Sequence, residues 1–233
     1  MTATLLERGY ILLSSILSSD LCAAIERDLV ADFGDGSRAN PREGHVVREV
    51  LDVCPRAVDA VVHPEGLGAI RGYIGEDIRL EALAGIVSDR RRPFMQWHAH
   101  VGGIEQDRVK PELASMRLSH PRRVMVLAYP GGCEGDAGAL MVMPRRLADP
   151  LAPPHAPSEL SWPGAETIHA APGSVLVADE AVYHAVMQRR IDGPRCIVGA
   201  YFVRTADRVL DLRAPSLDRI ISDDPEIRRL LDP

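Results

Sequence analysis

Lysine is almost missing from this chain. Of its 27 basic residues only Lys110 is a lysine, which leaves 26 arginines, and 33 acidic residues bring the formal net charge to −6. That balance argues against a dedicated nucleic-acid binder, whose electrostatic footprint is a basic patch. Cysteine is scarce and scattered. Cys22, Cys54, Cys133 and Cys196 form no CxxC pair, which argues against a zinc knuckle or a disulfide framework and for reduced thiols in a cytosolic protein. Long apolar runs are missing too: none approaches the roughly 18 residues of a membrane span. The first residues lack the basic region of a signal peptide, and Ser14, Ser15, Ser18 and Ser19 interrupt the apolar run that follows. A soluble, cytoplasmic protein with no nucleic-acid or membrane partner is expected. What is present suffices for a core: 46% hydrophobic residues in 233, a length at which an all-β barrel is routinely one domain.

The most informative stretch is Phe94-Met95-Gln96-Trp97-His98-Ala99-His100-Val101-Gly102-Gly103. On an extended strand the period of two puts His98 and His100 on one face. Two neighbouring imidazoles make half of a metal site, since neutral histidine is the commonest transition-metal ligand. The same H-x-H spacing also occurs on solvent-facing strands. A third histidine, His184, sits far downstream in what reads as the end of a strand. Trp97 would face the packing side, and Gln96 shares the face of His98.

In chain order, Gly9 to Leu13 reads as a short strand. Ser18-Ser19-Asp20 caps a helix from about Leu21 to Phe33. Gly34 to Gly44 is a loop, and Val46 to Val53 fits strand or helix equally. Pro55–Val62 and Pro64–Ile74 read as short helices, the second closing near Gly75. Ile78–Val87 has strand character. Thereafter short apolar runs alternate with turn signals: Met95–Val101, Arg123–Tyr129, Gly138–Met143, Thr167–Ala170, Ser174–Ala178 and Cys196–Arg204. Such spacing marks an antiparallel sandwich or barrel. The Pro-rich segment of about 144–163 is long enough for a lid or binding loop, and the charged tail from Ala206 can dock a terminal helix.

This ordered set resembles the phytanoyl-CoA dioxygenase-like branch of the iron(II)/2-oxoglutarate oxygenases. The likeness lies in Gly9-Tyr10-Ile11-Leu12-Leu13 before a capped helix and in His63-Pro64 before a helix ending at Gly75. It extends to the strand pair from Arg122 to Met143 around a Gly/Asp-rich turn, and to Pro172-Gly173-Ser174-Val175-Leu176-Val177-Ala178-Asp179 followed by His184. The resemblance implies a mainly β fold with flanking helices, a double-stranded β-helix or jelly-roll barrel of the cupin kind. It implies one domain over 1–233, with an N-terminal helical layer at about 18–75 and the lid at about 144–163. It also implies Fe(II) held by two histidines and a carboxylate, with 2-oxoglutarate and O2 as co-reactants. Carried onto this chain, His98 and His184 are ligands, and Arg195 pairs with the far carboxylate of 2-oxoglutarate, a match its planar fork suits.

The departure is His100, which stands where the family has Asp. A three-imidazole site (His98, His100, His184) still suits Fe(II), but also copper, zinc or nickel. Glu105 or Asp107 would restore a carboxylate only if the Gly102-Gly103 loop folded back. Gln96 is a candidate cosubstrate contact. Asp179-Glu180 reads as a strand-end turn supporting the site, His169 as structural, and His45, His120 and His155 as solvated loop residues. Met125, Met141 and Met143 read as barrel core, and either Arg122 or Arg123 points inward. The expected function is a non-haem iron oxygenase that hydroxylates, desaturates or cyclises a small natural-product intermediate, as a monomer or homodimer. The alternatives are a three-histidine oxygenase independent of 2-oxoglutarate and a non-catalytic metal- or ligand-binding relative.

Overall fold

The computed structural model describes residues 1–101, 117–207, 217, 220 and 223–231. The N-terminal part supplies helices. They are α1 (Thr2–Arg8), α2 (Ser19–Phe33), α3 (Val50–Val53), α4 (Ala57–Val61) and α5 (Pro64–Ile74); α6 (Pro225–Leu231) lies near the C-terminus. Ser18 caps α2 by accepting a hydrogen bond from Leu21 N–H, as its hydroxyl suggests. Pro64 opens α5, and Gly75 closes it with φ +103°. Helix α1, uncapped by any side chain, was not legible from the sequence.

Among the described residues ten strands follow the order β1 (Tyr10–Leu13), β2 (His45–Val47), β3 (Ile78–Ser88), β4 (Met95–His98), β5 (Arg123–Tyr129), β6 (Leu140–Val142), β7 (Glu166–Ile168), β8 (Ser174–Asp179), β9 (His184–Val186) and β10 (Arg195–Arg204). They form two antiparallel sheets, ordered β1-β8-β5-β10-β3-β2 and β4-β9-β6-β7. This is the mainly β, two-sheet architecture with flanking helices that the spacing of apolar runs announces.

The larger sheet is buried on both faces, which is why β5 and β8 read as continuous apolar runs instead of alternating. Its outer face, through Val124, Val126, Val177, Val198 and Phe202, packs on Ile25, Leu29, Val61 and Ile70 of the helices. Its inner face, through Met125, Leu127, Leu176, Ile197 and Tyr201, meets Leu140, Val142, Ile168 and Val186 of the smaller sheet.

Several expectations are corrected here. Val46 to Val53 divides into both alternatives, β2 then α3. The strand expected over Met95–Val101 stops at His98, and His184 begins β9 instead of ending a strand. Met125 lies in the inner core, but Met141 and Met143 pack on the outer face of the smaller sheet with Trp97, Trp162 and Tyr183. The Pro-rich segment packs at its Leu147–Leu151 end with Val101 and Ala181 and at its Trp162 end behind the smaller sheet. Its Trp162 stacks on Trp97, centroids 4.4 Å apart, on the face that turns away from the histidines. His45 is no loop residue: its Nε2 lies 2.6 Å from Asp32 Oδ2. His169 is exposed. The tail docks through Leu230 and Leu231 on the helix-side core, whereas Leu210, Leu212 and Ile221 lie outside the described residues. Among the described residues no helix is long and apolar enough to cross a membrane.

Of the adjacent Arg122 and Arg123, Arg123, which opens β5, is the buried one. It pairs with Glu81 at 2.7 Å, and its guanidinium lies 4.2 Å from the Tyr201 ring centroid. Glu81 is an extra residue in β3, since Tyr201 pairs with Ala82 and Phe202 with Leu80. Removing one member of such a pair leaves a buried charge alone, a loss of about 3–5 kcal/mol, whereas replacing both with apolar groups is often neutral. We therefore expect Glu81→Ala to lower stability strongly in urea titration and Glu81→Leu with Arg123→Met to recover most of it. Equal loss in single and double variants would show that the pair is not the cause.

Candidate metal centre

His98, His100 and His184 meet on the inner side of the smaller sheet. One nitrogen from each lies within 4.8 Å of the others, and no cysteine or carboxylate among the described residues joins the group. Three pieces of backbone bring them together. His98 closes β4 and is the register partner of His184, the first residue of β9. His100 lies beyond the strand, so the expected period of two is not what aligns it. Its N–H instead donates to Glu180 C=O at 2.8 Å, tying it to the turn that leads into β9.

That turn has its own supports. Asp179 Oδ1 accepts from Ala181 N–H at 2.9 Å, and Asp179 C=O accepts from Val182 N–H at 3.0 Å. Glu180 accepts from Arg122 Nε at 2.8 Å, and Tyr73 OH donates to Asp179 Oδ2 at 3.0 Å. The Asp179-Glu180 pair thus forms a strand-end turn behind the histidines, as its position suggests.

The hydrogen bonds also fix the tautomers. A ring nitrogen facing a carbonyl oxygen must carry the proton. His98 Nδ1 faces Gln96 C=O at 2.7 Å, and His184 Nδ1 faces Val182 C=O at 3.0 Å. Each neutral ring then keeps its Nε2 lone pair, the state in which imidazole binds a metal. His100 Nε2 lies 3.2 Å from His184 Nε2, so with no metal it is the His100 N–H that donates across this gap. Burial, then the neighbouring His98 and His100, push His184 well below the usual histidine range, keeping it neutral. The set fits a transition ion: three neutral nitrogen donors, two already oriented by a second hydrogen bond.

Arg195 opens β10 opposite Ser88, 5% exposed. It donates through Nη1 to Gly138 C=O and through Nη2 to Ser88 Oγ at 3.4 Å. Gly138 has φ +88°, and a Cβ there would stand 3.2 Å from Arg195 Nη1, so glycine suits both the turn and the approach. Gln96 does not join the site. A register shift between Met95 and His98 breaks the strand's alternation, its side chain is exposed, and its carbonyl does the work by accepting from His98. Glu105 and Asp107 lie outside the described residues.

Three residues near these groups were missed from the sequence. The Tyr201 ring lies 5.5 Å from that of His100. Tyr129 is fully buried, and its phenol is raised well above its usual value by burial. Arg92 is 4% exposed beside Arg195; burial, then that charge, push its guanidinium down to about 9, still cationic at neutral pH. Nothing in Arg90-Arg91-Arg92 marks the third arginine as the buried one.

No family model and no curated protein matches this sequence. Solved structures do match in shape. One is HygX from Streptomyces hygroscopicus with nickel and 2-oxoglutarate bound: TM-score 0.63, 13% identity, covering 85% of this chain and 84% of that one. Another is SnoK, a non-haem alpha-ketoglutarate-dependent carbocyclase from nogalamycin biosynthesis: TM-score 0.64, 17% identity, covering 96% and 91%. SnoN, an epimerase from the same biosynthesis, matches with TM-score 0.61 and 13% identity over 87% and 80%. At these identities the likeness establishes the fold, the jelly-roll type expected.

The depressed His184 carries a pH signature. Below about 6.5, the ordinary histidine value, the unfolded chain takes up a proton that the folded chain refuses, so stability falls with pH. Metal-free protein should therefore lose stability from pH 7 to 5, and His184→Asn should flatten this part of the profile in thermal melts. An unchanged slope would mean that His184 does not supply it.

Proposed function

We propose that this chain is a mononuclear non-haem iron oxidoreductase of the 2-oxoglutarate-dependent, phytanoyl-CoA dioxygenase-like kind. Its substrate is a small molecule, a natural-product intermediate, which it hydroxylates, desaturates or cyclises. The observation that carries this reading is the convergence of three metal-ready imidazoles on the inner face of one sheet, with the buried guanidinium of Arg195 on the inner face of the other. The fold shared with HygX, SnoK and SnoN supports it by analogy. We take 1–233 as one oxygenase domain, its helical layer backing the larger sheet.

His98, His100 and His184 would hold the metal through their Nε2 atoms. Arg195 would hold the far carboxylate of 2-oxoglutarate, a bidentate match for a planar fork. When bound, Fe(II) and 2-oxoglutarate supply O2 activation, with CO2 and succinate as by-products. The protein's own share is to fix the donors and to exclude water. Glu180 C=O and the Tyr201 ring steady His100, Val182 C=O steadies His184, and the apolar inner core borders the centre.

A three-histidine oxygenase without 2-oxoglutarate is the rival that His100 favours. Buried Arg92 and Arg195, which meet no acid partner among the described residues, favour the dicarboxylate. The test is succinate formation by iron-loaded protein, alongside metal titration of His100 variants. We expect 2-oxoglutarate-dependent succinate, and an Arg195→Ala variant whose KM for 2-oxoglutarate rises at least about tenfold, since a buried pair would lose its partner. His100→Asp should keep metal, because the shorter carboxylate returns an anionic oxygen ligand, while His100→Ala binds more weakly than either. Absence of succinate with metal bound would reject the cosubstrate, and equal metal affinity in all three forms would place His100 outside the ligand set.

A further inference from the structure

We propose that Arg79 is the anion partner of the substrate, and that the molecule this centre acts on is a monocarboxylic acid whose reacting carbon lies a few bonds from its carboxylate. The proposal rests on the metal-centre reading above and concerns the side of the histidines away from Arg195.

The strand register fixes where Arg79 points. Along β3, Ile78, Leu80 and Leu83 pack in the helix-side core, while Ala82 and Ile86 pack between the sheets. Glu81 is the extra residue that lets Leu80 and Ala82 take opposite faces. Alternation before that bulge turns Arg79 inward. Val203 of β10 is the register partner of both Arg79 and Arg123, so the two arginines flank one buried position, two strand spacings or roughly 9–10 Å apart. Tyr201, the preceding inward residue of β10, has its ring 5.5 Å from that of His100 and 4.2 Å from the Arg123 guanidinium. The row of Arg79, Val203 and Arg123 thus lies one inward step past Tyr201, about 7 Å along the strands.

Charge around this row does not balance. Glu81 pairs with Arg123 at 2.7 Å, and Glu180 with Arg122 at 2.8 Å. Arg79 is 9% exposed, its Nε is buried without a hydrogen-bond partner, and no acid among the described residues pairs with it. Three arginines therefore meet two carboxylates, an excess of one positive charge. Burying a cation alone is costly, so an unanswered one persists where a ligand completes it. The Tyr201 phenol is raised by burial, lowered by Arg123 and raised again by Glu180 and Glu81, so all three charges act on the space beside it. One excess positive charge near two acids suits a monoanion; a phosphate dianion would be repelled by them.

Room for the rest of the molecule lies on the same face. Ala84 and Gly199 are register partners, the next inward pair after Ala82 and Tyr201 in the direction of Arg195. Both are partly exposed although β10 is an interior strand. These small residues leave a solvent-reached hollow between the sheets, next to the Tyr201 ring that packs on His100. An acid held at Arg79 would lay its neighbouring carbons along Tyr201 towards the histidines.

Thermal melts separate this role from a structural one. In metal-free, ligand-free protein, Arg79→Gln should melt no lower than the parent, because it removes a buried cation that nothing answers. Arg123→Met should melt lower, because it leaves Glu81 without its pair. Equal loss in both variants would mean that both arginines serve Glu81, and would overturn the proposal.

The deciding measurement is the relaxation of small acids by cobalt-loaded protein in proton NMR, with 2-oxoglutarate present to fill the Arg195 end. Benzoate and cyclohexanecarboxylate are compared with their amides. In the parent each acid should bind about tenfold or more tighter than its amide, with its ring protons relaxed by the metal. Arg79→Gln should abolish that preference with cobalt affinity unchanged, and Arg79→Lys should keep part of it, since lysine retains charge without the fork. An unchanged preference in Arg79→Gln, equal binding of acid and amide by the parent, or a bound acid that the metal does not relax overturns the proposal. Phenyl phosphate binding more tightly than benzoate through Arg79 overturns the monoanion assignment. Protein that binds neither cobalt nor 2-oxoglutarate rejects the reading above instead. Calorimetric titration with the same acids and amides then decides Arg79 by itself: a preference lost in Arg79→Gln upholds the anion site, and no preference overturns it.

Discussion

The pairing of β4 with β9 is the contact on which the centre depends. It sets His98 directly against His184, yet β4 is only four residues long and lies at an edge of its sheet. An edge strand so short has few ladder bonds of its own to fix a side chain. The Pro-rich segment supplies the rest. Pro157 C=O accepts from Trp97 N–H at 3.1 Å, Glu159 C=O accepts from its indole N–H at 3.0 Å, and Trp162 stacks on the ring. Holding Trp97 on the outer face holds its neighbour His98 on the inner one. The part of the segment from Pro157 to Trp162 is in this way a clamp behind the strand.

The interior between the sheets is divided by chemistry. Its middle is apolar, through Leu140, Val186, Leu127 and Ile197. At the histidine end lie Tyr201, Arg123 and Glu81, where the buried acid answers the buried arginine. At the other end Arg92 and Arg195 meet no acid among the described residues. A fold tolerates a charge in its core when the charge is paired or when a ligand completes it. The asymmetry between the two ends is therefore informative about ligands in a way that either end alone is not.

Much of this was legible in the sequence, for identifiable reasons. Strands β5 and β8 were readable to within a residue because burial on both faces writes them as unbroken apolar runs. Helices α2 and α5 were readable because Ser18 and Pro64 mark where they begin. The sequence also groups the three histidines, but partly for a reason that does not hold. His100 is aligned by its bond to Glu180 C=O, a tertiary contact with no local pattern. Gln96 was misplaced because the irregularity between Met95 and His98 reverses faces, and periodicity cannot announce a bulge. Arg92 was invisible because a run of three arginines reads as solvent-facing, and only the turn after Ser88 decides which one goes inside.

His100, which stands where the family the sequence resembles has a carboxylate, bears on the same charge balance. A residue left behind by lost chemistry would keep no support of its own, yet His100 is held at three points. Its backbone N–H is taken by Glu180, its ring packs against Tyr201, and its Nε2 faces His184. The position is built for an imidazole. Three neutral imidazoles would leave a bound divalent ion with its whole charge, where a carboxylate would cancel part of it. Two buried arginines at the far end add to the same excess. On the proposed reading, the negative charge that the protein withholds at both ends has to arrive with the ligand, and a molecule with a carboxylate at each end brings it to both.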